Sequence, residues 1–167
     1  MKKFFILLLA IATLIWNAPA FALGTTTLSA AAASDKYVWD PIEGAVVAMK
    51  EITLTWVGDV SAGTIPDTVI NATTYGLLSW FLYSAETAPG SPAPDPNYDW
   101  VINDDKTLDI AGGLLLNRHT TAPELVGLGS ASFGYPVIRG NITAVMSNNT
   151  IASAQGTLIL IFFPSHE

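Results

Sequence analysis

In the stretch KEITLTWVG, Ile52, Leu54 and Trp56 alternate with Glu51, Thr53 and Thr55. Successive side chains of a strand point to opposite faces, so this spacing sends one set to a core and the other to solvent. Nowhere does an apolar period near that of a helix persist between caps, and glycine or proline interrupts the chain at short intervals. Short antiparallel strands joined by turns follow from these two facts. The expected fold is all-β: a single antiparallel β-sandwich of jelly-roll or immunoglobulin-like type, after an N-terminal leader helix.

Tyr75 to Tyr83, YGLLSWFLY, is apolar on both parities and reads as a central strand with both faces covered. The segment TAPGSPAPDP that follows carries Pro89, Pro92, Pro94 and Pro96, which cannot donate to a β ladder, and reads as an exposed loop of polyproline character. Near the end, VIRGNITAVM and SAQGTLILIFF flank Ser147-Asn148-Asn149-Thr150, whose asparagines tolerate the left-handed backbone of tight turns. That pattern predicts a closing β-hairpin. Within its last strand, Ile159, Ile161 and Phe163 face away from Leu158, Leu160 and Phe162. With both faces apolar, this strand is either central in a two-layer sandwich or packed against another subunit.

The front of the chain reads differently. Met1-Lys2-Lys3, the apolar run Phe4 to Trp16 and Ala20-Phe21-Ala22 match a secretory leader, residues 1–22, cut before Leu23. The run is shorter than the roughly 20 residues a spanning helix needs, so no stable membrane span is expected after cleavage. Residues 23–36 are small and polar, an expected flexible arm, and residues 37–167 form the expected sandwich domain.

With Lys2 and Lys3 in the leader, only Lys36, Lys50, Lys106, Arg118 and Arg139 remain against 14 acidic residues. Phosphate binding needs clustered Lys and Arg, so this balance argues against nucleic acid as a partner. The absence of cysteine excludes disulfides, thiolate nucleophiles and Cys-based zinc sites, and leaves stability to a packed core or to oligomerisation.

The stretch NYDWVINDDKTLDIAGGLLLNR, residues 97–118, concentrates the acids. Oxygen-rich loops of this kind bind calcium, which makes Asp99, Asp104 and Asp105 weak metal candidates. The EF-hand order is nevertheless missing its Gly and its distal Glu. Alternation gives the better account: Tyr98, Trp100 and Ile102 share one parity, Asn103 to Thr107 occupy a hairpin turn, and Leu108 and Ile110 resume the inward face. Gly112-Gly113 then ends the strand or forms a bulge, and Leu114, Leu115 and Leu116 return to the core. Trp100 and Tyr98 are weak ligand-binding candidates, in case the tryptophans form an exposed sugar-stacking patch rather than core.

No catalytic residues emerge. The acids cluster in one turn, whereas glycoside hydrolysis needs an opposed pair about 5 to 9.5 Å apart. The only histidines are His119 and His166, and no G-x-S-x-G elbow occurs. The chain is expected not to be an enzyme and to hold no cofactor, with calcium the single ion its loops bring to mind.

The arrangement from GTIPDTVINATTYGLLSWFLY through NYDWVINDDKTLDIAGGLLLNR to PVIRGNITAVMSNNTIASAQGTLILIFF resembles small uncharacterised proteins of tailed phages and prophages, over about residues 50–163. The resemblance rests on Tyr98-Asp99, Asp104-Asp105, Asp109 to Gly113, Asn117-Arg118, Gly140 to Thr143 and Gly156 to Leu158. It implies a β-sandwich virion or tail-associated structural protein, without catalytic residues to carry over. A secretory leader departs from that pattern. The expected role is therefore an exported structural or adhesive module acting through subunit packing and end loops, in the periplasm, at the cell surface or outside the cell, or in a virion if phage-encoded. The alternative is a secreted carbohydrate-binding module that meets cell-surface glycan through an aromatic patch and a calcium loop.

Overall fold

The structure, a computed structural model, describes residues 24–29, 36–40, 45–127, 137 and 140–164. The strands among them are β1 (Thr25–Ser29), β2 (Lys36–Asp40), β3 (Ala45–Val57), β4 (Thr68–Asn71) and β5 (Trp80–Pro89), followed by β6 (Asp99–Asn103), β7 (Glu124–Gly127), β8 (Asn141–Ser147) and β9 (Gln155–Pro164). They form two antiparallel sheets. The larger runs β1-β3-β9-β5-β7, with β2 pairing the first part of β3, and the smaller runs β4-β8-β6. Among the described residues no helix is long and apolar enough to cross a membrane.

From β3 onward, consecutive strands alternate between the two sheets. The sheets meet across one core, as in a β-sandwich. Ile52, Leu54 and Trp56 of β3 lie beside Leu160, Leu158 and Gly156 of β9, and the side chains of both strands turn inward. Ile70, Trp100, Ile102, Ile142 and Ala144 of the smaller sheet meet them. Trp56 spans the gap, its ring 6.2 Å from those of Trp100 and Tyr98. Each large side chain buried this way contributes about 1.5–3 kcal/mol, so the alternation seen in the sequence is the main term holding the sheets together. Gly156 is part of that fit: a Cβ there would lie 2.8 Å from Trp56 Cζ2 and 2.7 Å from the Ala88 carbonyl oxygen.

The expected leader, residues 1–22, lies outside the described residues. Several expectations within them need correction. Thr25–Ser29, expected in a flexible arm, instead forms β1, because its backbone pairs with Thr53 to Val57 along the edge of β3. The central strand expected over residues 75–83 begins only at Trp80 and continues to Pro89. Gly76 and Ser79 take positive φ (61° and 66°), which breaks an extended chain. The turn so formed is held by the Lys50 ammonium, which donates to the carbonyls of Tyr75 (3.0 Å) and Gly76 (2.6 Å) and lies 4.5 Å from the Trp80 ring centroid.

The closing hairpin is absent as well. β8 pairs with β4 and β6, whereas β9 lies between β3 and β5 in the other sheet. Asn148 does take positive φ (59°), but the turn it starts carries the chain across the core instead of back along β8. Of the apolar residues expected inward after the acidic turn, Ile110 and Leu115 are buried while Leu108, Leu114 and Leu116 are exposed.

Candidate functional site

The acidic stretch builds from β6 outward. Tyr98 and Trp100 share the parity of Ile102, and the structure buries both completely (0% exposed). This corrects their candidacy as surface ligand-binding residues: the strand that carries them turns that face into the core. Trp56 is buried too, and Trp80 is half-buried under Lys50.

The carboxylates of the stretch do separate work. Asp104 Oδ1 accepts from the backbone N–H groups of Lys106 and Leu108, both at 2.8 Å, and so folds the turn in which it sits. Asp105 points to the Lys106 ammonium at 3.4 Å on the surface. Asp99 accepts from Asn117 N–H (2.7 Å) and from the Asn148 side-chain amide, tying β6 to two loops. Asp109, singled out in the sequence only within the segment that carries the resemblance, accepts from the N–H groups of Ile102 (3.2 Å), Ala111 (3.0 Å) and Gly113 (2.7 Å). Gly112 and Gly113, at positive φ of 61° and 77°, supply the left-handed turn expected of them. Among the described residues no group of three or more His, Asp or Glu side chains gathers in a metal-holding arrangement. Asp99, Asp104 and Asp105 are thus placed by what each bonds rather than by a shared centre.

A second acidic device sits at one end of the sandwich, where the proline-rich segment meets the loop between β8 and β9. Asp95 Oδ2 accepts from Thr150 N–H (2.5 Å) and the Thr150 hydroxyl (2.6 Å). Asn149, buried, accepts from Asp95 N–H and donates to the Gly63 carbonyl (2.6 Å). The Thr150 hydroxyl, with Thr150 N–H behind it, holds the Asp95 carboxyl below the usual aspartate range. Asp59 is held low in the same way by the Ser61 hydroxyl and then by the N–H groups of Ala62 and Ser61. It is covered by its own loop at the rim of the fold. The proline-rich segment is itself tied down: Gln155 N–H donates to the Pro92 carbonyl at 3.0 Å and the Thr120 hydroxyl to the Pro94 carbonyl at 2.6 Å. His119 Nδ1 accepts from Thr121 and Ala122 N–H groups, both at 3.1 Å, which makes it a local turn former.

The remaining feature is a surface. On the face of the larger sheet turned from the core, Leu125, Glu86, Ile159 and Thr53 form one cross-strand row. Ile161 and Glu51 lie in the next, and Phe81 opposite Phe163 beyond it. A bulge between Leu82 and Ser84 turns Tyr83 onto the same face, its ring 4.5 Å from that of Phe163. Leu125 is 69% exposed and Tyr83 45%, while Ile159, Ile161 and Phe163 are half-buried. The second parity of β9 announced part of this surface. Leu125 and Tyr83 were missed, because β7 is too short to show a period and the bulge shifts the parity of β5.

Compared with models of known protein families, with curated proteins and with solved structures, the chain finds no match in any of them.

Proposed function

We propose that the chain is a non-enzymatic, exported structural or adhesive module that packs against sister subunits through the outer face of its larger sheet and presents loops at the sandwich ends. The observation that carries this reading is the outward face on which Leu125, Tyr83, Ile159, Ile161 and Phe163 stand among Glu86, Glu51, Thr53 and Ser84. Continuous exposed apolar surface on a sheet marks an interaction site, and a repeated subunit is the simplest partner.

The strand order supports the jelly-roll form of the sandwich over the immunoglobulin-like one. The order β3-β9-β5-β7 faces β4-β8-β6, and the chain after β6 returns beside it through the bridges Asn103 to Asp109 and Tyr98 to Arg118, in the place of an eighth strand. Jelly rolls recur in viral capsids and in lectins, so the fold is compatible with the phage-like resemblance without choosing between hosts or roles. The carbohydrate-binding alternative loses its named aromatics, since Trp100 and Tyr98 are in the core.

Fractionating cells that express the full chain, then weighing the exported protein by native mass spectrometry, tests the proposal. Exported multiples of the chain are expected. Protein retained inside the cell, or exported only as a monomer, would remove it.

A further inference from the structure

Among the described residues, four buried side-chain polar atoms have no protein hydrogen-bond partner: Trp56 Nε1, Trp100 Nε1, Tyr98 Oη and Thr87 Oγ1. They belong to neighbouring side chains. The Trp56 ring centroid lies 6.2 Å from those of Trp100 and Tyr98, and Thr87, fully buried on β5 opposite Leu158, is the hydroxyl neighbour of Tyr98. An indole N–H is a donor only, so the two tryptophans cannot satisfy each other. A Tyr98–Thr87 bond, even if it formed, would leave both indoles unpaired. Leaving such groups dry in a core is costly, and native proteins pair nearly all of them.

We propose that Trp56, Trp100, Tyr98 and Thr87 line an internal hydration site, in which at least one water molecule between the two sheets joins the four groups. The chemistry is complementary. Water has two lone pairs to accept from the two indole N–H groups and two protons to give to the two hydroxyl oxygens. Buried waters typically make about three hydrogen bonds and occur about once per 27 residues, so a site of this kind is in proportion for a chain of this size. The surrounding core is otherwise apolar, with Leu54 of β3, Ile102 of β6 and Leu158 of β9, which stands between Leu54 and Thr87, all buried. A water held there would exchange slowly with solvent. Burial also pushes the Tyr98 hydroxyl above its ordinary pKa, so it stays protonated and able to share in the network over the neutral range.

The test is a water-to-amide cross-relaxation spectrum of the full chain labelled with ¹⁵N, with the indole signals assigned by single Trp→Phe changes. Cross-peaks of long-lived water at the Trp56 and Trp100 indole N–H groups are expected, and Tyr98→Phe should lose or weaken both. Thr87→Val serves as the second variant, with the same expected loss. The proposal is overturned if native protein shows no such cross-peak at either indole, or if the cross-peaks persist unchanged in Tyr98→Phe and Thr87→Val.

Discussion

At the residue scale, the fold depends on a few close fits that a sequence displays only by residue type. Gly156 is one: with 2.8 Å between its would-be Cβ and Trp56 Cζ2, and 2.7 Å to the Ala88 carbonyl, neither the rigid indole nor the paired backbone has room to give. Gly156→Ala is expected to cost about 1–3 kcal/mol, read as a lower urea midpoint with an unchanged slope. Asp109 is another. Its carboxylate gathers three backbone N–H groups, that of Ile102 in β6 and those of Ala111 and Gly113 in its own turn, so Asp109→Ala should destabilise by about 1–3 kcal/mol in the same assay. The sequence showed an acid beside glycines at this point. It could not show that Asp109 reaches back to Ile102, because that bond depends on how tightly the turn closes.

At the element scale, the strand faces were legible and the strand partners were not. Ile52, Leu54 and Trp56, then Leu158, Leu160 and Phe162, point inward as their alternation requires, since parity is a local property of an extended chain. Partner choice is not local. Asn148 marks a turn equally well whether the next strand returns beside β8 or crosses to the other sheet, and here it crosses. The loops that make these crossings are held by carboxylates, which gives them an acid sensitivity. Asp59 and Asp95 have folded pKa values below their unfolded ones, so their contribution is full above the unfolded aspartate pKa of about 3.9 and is lost as pH falls from there through the folded values. Urea unfolding followed against pH should therefore show stability dropping below about pH 4. Asp95→Asn should flatten that drop while leaving neutral-pH structure intact by circular dichroism. Tyr98 acts on the alkaline side: its folded pKa is raised by burial, so stability declines as pH climbs past the unfolded tyrosine value of about 10.

At the scale of the whole molecule, two sheets share one core and the larger carries a second apolar surface on its back. The second parity of β9 pointed to that surface because a strand with two apolar faces needs two coverings, and the smaller sheet supplies only one. What the sequence left open was whether the second covering belongs to the same chain. Leu125 and Tyr83 extend the outward row beyond β9 and favour a partner, since apolar area of this kind is stabilised by burial at about 25 cal/mol per Å². Sedimentation velocity of the purified protein at micromolar concentration, beside a variant carrying Leu125→Lys and Ile159→Lys, tests this most directly. Lysines suit the comparison because Glu86 stands between the two positions and can pair with either. The account predicts an oligomer for the native chain and a folded monomer for the variant; a native chain that sediments as a stable monomer would contradict it.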